Sequence, residues 1–157
     1  MANQMRWRYG DTQPVMAPVL SATVIEIGDL VYLDSGTAKP AAAQADTETE
    51  AGNQEAFHDK FLGVALAASR AGDTAAIRVA TRGVFEFTCP SGTFALGDLL
   101  GPKEAVSGTA LENQTVKSVA TANLALGRCM QAVTTTSTRV LLEIVSTMLH
   151  GGPQVMA

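Results

Sequence analysis

Aromatic residues are scarce in this chain of 157 residues, at 5%, and charged residues make up only 17%. Histidine occurs twice (His58 and His150) and cysteine twice (Cys89 and Cys129). No CxxC or Cys/His spacing of a zinc site links them, so no metal centre is expected. Two isolated cysteines read as small buried hydrophobes of a reducing compartment. No apolar run approaches the roughly 20 residues that cross a bilayer. The opening MANQMRWRYGD also lacks the apolar stretch of a signal peptide, so a cytoplasmic origin and no membrane partner are expected. Basic residues are few and scattered, 11 against 15 acidic ones, for a net charge of −4. Phosphate-driven binding needs Lys and Arg clustered on one face, so no nucleic-acid partner is expected either.

Motifs of catalysis are missing as well. The chain has no GxGxxG, P-loop, HExxH, GxSxG or EF-hand spacing, and neither histidine stands beside a Ser or Cys nucleophile in a recognisable pattern. Three Gly-Asp pairs (Gly28-Asp29, Gly72-Asp73 and Gly97-Asp98) could bring carboxylates together. The stronger reading is turn chemistry, because Asp after Gly hydrogen-bonds its own turn. Asp46, Glu48, Glu50 and Glu55 lack the convergent geometry of a hard-cation loop and read as a solvated face. The expectation is no catalytic residue, no cofactor and no metal.

What is present is small and β-forming: Ala, Gly, Thr, Ser and Val dominate, and 46% of residues are hydrophobic. A chain of this length buries roughly 70% of its unfolded surface and needs no staple to hold a core. Residues 1–22 carry Pro14 and Pro18 and read as an extended N-terminal arm, since proline disfavours helix in its predecessor. A β domain follows over 23–150, then a tail over 151–157 beginning at Gly151-Gly-Pro153. Within the domain, Thr23 to Leu33 reads as two β runs around the Gly28-Asp29 turn. Phe61–Ala67, Ala75–Ala80 and Gly83–Thr88 are further strands, the last with Phe85 and Phe87 on one face. Leu124–Val133 and Val140–Leu149 read as strands joined by a turn at Thr134-Thr-Thr-Ser-Thr138. The stretch 34–59, polar and acidic with no sustained period, reads as a long surface loop with one helical turn near Asn53 to Phe57.

The second half echoes the first. Phe94-Ala-Leu-Gly-Asp-Leu-Leu100 matches Ile25-Glu-Ile-Gly-Asp-Leu-Val31, Leu126-Gly-Arg-Cys-Met130 matches Leu62-Gly-Val-Ala-Leu66, and the run from Thr138 to Val145 matches that from Thr74 to Val79. A strand–GD turn–strand unit cannot close its own edges, whereas two copies can. The predicted fold is all-β: a compact barrel or sandwich of two pseudo-repeated units preceded by the arm. The arm concentrates Arg6, Trp7, Arg8 and Tyr9, residue types that carry binding energy at protein interfaces. It either docks on a neighbouring chain or folds back as a lid.

Met5-Arg-Trp-Arg-Tyr-Gly-Asp11, Thr23-Val-Ile-Glu-Ile-Gly-Asp-Leu-Val-Tyr-Leu33, Phe61-Leu-Gly-Val-Ala65, Gly83-Val-Phe85 and Gly97-Asp98 together resemble tailed-bacteriophage capsid decoration (cement) proteins. That resemblance implies a β-rich structural virion protein on the head exterior. Its partners would be the major capsid protein and two further copies of itself in a homotrimer, with terminal arms clamping neighbouring capsid subunits. The acidic stretch 34–59 departs from the pattern. Two other readings stay open: a small ligand-binding or enzymatic β-barrel, and a phage tail or adhesin module.

Overall fold

The computed structural model describes residues 3–106 and 108–155. The all-β expectation holds: among the described residues eleven strands form two sheets, joined by two helices and two 3₁₀ turns. The strands are β1 (Trp7–Tyr9), β2 (Val15–Ala17), β3 (Leu30–Asp34), β4 (Thr37–Pro40), β5 (Phe61–Ala65) and β6 (Ile77–Ala80), then β7 (Arg82–Phe94), β8 (Leu99–Glu104), β9 (Leu111–Ser118), β10 (Gly127–Cys129) and β11 (Val133–Val145). The helices are α1 (Glu50–Lys60) and α2 (Thr147–His150).

The repeat is visible in the strand order. One sheet runs β2-β6-β5-β3-β4 and the other β7-β11-β10-β8-β9, with β1 added beyond β7. Registers agree residue by residue. Val31 faces Gly63 as Leu100 faces Gly127, and Ala65 faces Val79 as Cys129 faces Leu142. Val15 faces Val79 as Phe85 faces Leu142. The third sequence match is therefore shifted by one residue, because Val79 corresponds to Leu142. Gly63 and Gly127 are needed at these positions: a Cβ would run into the carbonyl of Ala80 in one unit and of Glu143 in the other.

The second unit is a closed barrel, because β7 also pairs parallel to β9 at Thr88 and Thr115. Phe85, Phe87, Leu100, Val116, Leu126 and Leu142 fill it. In the first unit Ala17, Ile25, Val31, Ala38, Ala65 and Val79 form a smaller core, and β4 reaches the end of β2 through one backbone bond, Ala38 N to Pro18 O at 2.8 Å. The other face of the first sheet (Leu30, Tyr32, Phe61, Val64 and Ala80) belongs to the core it shares with the second unit. Both faces of its strands are thus apolar, which explains the unbroken hydrophobic run FLGVA.

The stretch 34–59 is not a surface loop. It supplies β4, a 3₁₀ turn at Ala41–Ala43 and the three-turn helix α1. Hydropathy misses α1 because polar groups carry much of its buried face. The Asn53 carbonyl accepts from the Thr47 amide at 2.7 Å and its amide donates to Asp46 and Glu104, while Gln54 donates to the Pro102 carbonyl at 2.8 Å. A single apolar anchor completes it: Phe57 is buried with its ring 5.6 Å from both Tyr32 and Phe61. Thr49 caps the N-terminus by accepting from the Gly52 amide at 3.0 Å.

The N-terminal region needs a similar correction. Its extended character holds, but it is not an arm in front of the domain, because β1 pairs with β7 and β2 is the first strand of the first unit. Pro14 and Pro18 bracket β2, where a missing backbone donor is tolerated. The threonine run 134–138 lies inside β11, whose register against β7 shifts between Val133 and Arg139, and not at a turn. Residues 147–150 are a helical turn, capped by Ser146 and ended by left-handed Gly151, where a strand was expected. Residues 1, 2, 156 and 157 of the expected arm and tail lie outside the described residues.

Candidate functional site

The four residues singled out at the N-terminus split into two roles. Arg6 points inward and is 1% exposed. Its Nε and Nη2 donate to Gln114 Oε1 at 3.0 and 2.8 Å, its Nη1 donates to the Glu86 carbonyl at 3.1 Å, and its guanidinium lies 5.5 Å from the Phe87 ring centre. Gln114 then donates from Nε2 to Asp29 Oδ1 at 2.8 Å. A buried cation and a buried carboxylate are thereby joined through a neutral amide. Burial pulls the Arg6 pKa down and pushes the Asp29 carboxyl up. Arg6 is therefore a fixed internal residue and presents no charge to a partner. Gly28, at φ +96°, leaves room for it, since a Cβ there would strike the Gln4 carbonyl.

Trp7, Arg8 and Tyr9 remain at the surface. The Trp7 indole donates to the Gly10 carbonyl at 3.0 Å, and Arg8 meets Glu86 at 3.0 Å in a pair that also receives Arg139 at 3.4 Å. Trp7 and Tyr9 sit opposite Phe85 and Val84 on β7. Trp7 is 43% exposed and Tyr9 48%. The segment is neither a free tether nor a fully folded lid: its backbone is built into the sheet while its aromatic side chains stay half open.

Beside it lies a surface that the sequence reading did not single out. Met5, Trp7, Leu66 and Arg78 line an open groove of about 520 Å³ rimmed by Gly10, Asp11 and Thr12. Met16 pairs across strands with Arg78, and both side chains are exposed. One signal was available: in Ile77-Arg-Val79 a lone charge alternates with buried apolar residues, which marks an outward position in a strand.

The three Gly-Asp pairs are turns, all with one geometry. Glycine has φ +96°, +95° and +90° at Gly28, Gly72 and Gly97. In each, the Asp carboxylate accepts from the backbone amide three residues earlier (Asp29 from Glu26, Asp73 from Arg70, Asp98 from Ala95). Each carboxylate serves its own turn, and that of Asp29 also accepts from Gln114. The acidic stretch is similarly engaged, Glu50 with Lys117 at 2.8 Å and Glu55 with Asn123 at 3.1 Å. His58 bonds the Ala125 carbonyl at 2.7 Å and His150 the Thr81 hydroxyl at 3.0 Å. Cys89 and Cys129 are buried free thiols whose pKa values burial pushes up. Among the described residues no three His, Cys, Asp or Glu side chains are grouped to hold a metal ion, and no helix is long and apolar enough to cross a membrane.

No protein-family model matches the chain, and no curated protein matches it either.

Proposed function

We propose that this protein is a structural virion component, a decoration protein that binds the exterior of a tailed-phage head and braces contacts between major capsid proteins. The observation that carries the reading is the N-terminal strand itself: a rigid double β unit leaves Met5, Trp7 and Tyr9 roughly half exposed along one segment, at 48%, 43% and 48%. Trp and Tyr give large contact area at little conformational cost, and such residues dominate interface energetics. Two further features support it. The pI of about 5.1 suits an outer surface that does not attract packaged DNA, and the conspicuous polar groups are consumed by turns, caps and inter-unit bonds rather than gathered around a reacting centre.

In this reading three copies assemble around a threefold position and engage several capsomers at once. Modest individual contacts then become long-lived through multivalency. The test is to add purified protein to undecorated heads and reconstruct the particles by electron microscopy. The expected result is threefold density on the head exterior that fits the two-unit barrel, together with a trimer by light scattering, in solution or once released from heads. Absence of external density at saturating protein overturns the proposal.

A further inference from the structure

The aromatic N-terminal strand does not reach out to a partner, because its backbone is locked into β7 and Arg6 is buried beneath it. What the surface offers instead is a receptacle. Met5, Trp7 and Leu66 wall the groove, Met16 extends the apolar surface beside it, and Arg78 stands among them. Arg8, Lys39, Lys103, Lys117 and Arg139 are each paired with a carboxylate. Lys60, Arg70, Arg78, Arg82 and Arg128 have no acidic partner among the described residues, and of these Arg78 is the one that stands exposed amid the apolar side chains of the groove. The carboxylate that lines the groove, Asp11, accepts from the amide of Gln13 at 2.9 Å. An unpaired guanidinium amid exposed apolar surface is a half-made interface: the missing half is a carboxylate carried on an apolar segment.

We infer that this groove takes a peptide segment of a partner protein bearing one Asp or Glu flanked by apolar side chains, the carboxylate seating on Arg78 and the apolar flanks on Met5, Trp7 and Leu66. The inference rests on the capsid-binding reading for the source of the segment, a capsid subunit, but the groove's chemistry is tested without it. This chain is then the receiver of a capsid segment, and Trp7 acts as a wall.

Trp7 is the sole tryptophan, so its emission reads the groove directly. Titration with the peptide acetyl-Val-Leu-Glu-Leu-Val-amide should give a saturable blue shift. The same peptide with Lys for Glu should bind at least tenfold more weakly, as should the Arg78→Glu protein with the original peptide. Arg78→Met keeps an apolar stem at this outward position and separates loss of charge from loss of fold; it should also weaken binding while leaving the circular-dichroism spectrum unchanged. On purified heads, Arg78→Glu should lose at least tenfold in affinity, whereas Arg70→Glu, exposed but not lining the groove, should not. Peptide or head binding by Arg78→Glu equal to wild type overturns the inference while the capsid reading stands. Charge-selective peptide binding by a wild type that ignores heads supports the groove and removes the capsid as its source. Concentration-dependent self-association abolished by Arg78→Glu makes the occupant a second copy and overturns it.

Discussion

The two units share strand order, register, glycine positions and turn geometry, yet differ in what fills and faces them. At corresponding inward positions the second unit has Phe85, Leu100, Cys129 and Leu142 where the first has Val15, Val31, Ala65 and Val79. The larger side chains hold β7, at 13 residues, in contact with β9 and so close the barrel. The smaller set supports only short strands that meet at Ala38 and Pro18. A barrel's interior has to be filled by side chains, so its girth follows from the residues that point in. The outward faces differ in the opposite sense. Val64 and Ala80 of the first unit are buried in the shared core, while their counterparts Arg128 and Glu143 stand at the surface. One copy was thus adapted to be covered and the other to meet water. The connection between third and fourth strands differs too, a three-turn helix in the first unit and a 3₁₀ turn at Ala122–Leu124 in the second.

The largest effect should come from emptying positions that only one unit fills. Phe85→Ala and Phe57→Ala should each lower unfolding free energy by about 3–5 kcal/mol, whereas Val15→Ala, at the partly exposed equivalent of Phe85, and Leu124→Ala, on the 3₁₀ turn that the second unit has in place of α1, should cost about 1–2 kcal/mol. Urea midpoints of the four variants measure this; equal losses would mean that the two units are packed alike.

Arg6 sharpens the comparison because it joins the units, with Gln114 on β9 and Asp29 in the first unit's turn. Arg6→Ala leaves Gln114 Oε1 and the Glu86 carbonyl without their charged donor and should destabilise by about 3 kcal/mol. A loss below about 1 kcal/mol in the urea midpoint would return the N-terminal segment to the status of an appended arm.

The same network sets a pH effect of unusual sign. Because burial raises the Asp29 pKa in the folded state, its contribution is fully present below the unfolded carboxyl pKa and is lost as pH rises through the folded value. The stability of wild type relative to Asp29→Asn should therefore increase on acidification across that window. Asp34, held below its usual range by its hydrogen bond to Lys39, works the other way: its contribution fades as pH falls through its folded pKa. Paired urea titrations of wild type and Asp29→Asn at several acidic pH values read the difference, and a difference that shrinks on acidification would contradict the buried-carboxylate account.

The smallest effect is expected at the surface pair on Glu86. Arg139→Ala should change stability by no more than about 0.5 kcal/mol, since the residue is half exposed and Arg8 still satisfies Glu86. A larger loss would show that β7 and β11 depend on their outer charges as well as on Phe85 and Leu142.

Sequence alone established the β class, the duplication and the Gly-Asp turns, because each depends on local chemistry: period-2 alternation, glycine at left-handed backbone, and an Asp that bonds its own turn. It also placed Phe85 and Phe87 on one buried face. Only the tertiary structure decided the rest, wherever a residue's role depends on a distant partner. Helix α1 has no amphipathic stripe, since Asn53 and Gln54 are buried by bonds to Glu104 and Pro102 some 50 residues on. Arg6 and Trp7 look equivalent in sequence, yet one is buried because Gln114 receives it, 108 residues away, and the other is not. Strand β9 carries little apolar alternation and takes its place by pairing with β8. Polar burial and long-range pairing leave no local periodic trace, and for that reason the groove around Arg78 emerged only once β1, β5 and β6 had been brought together.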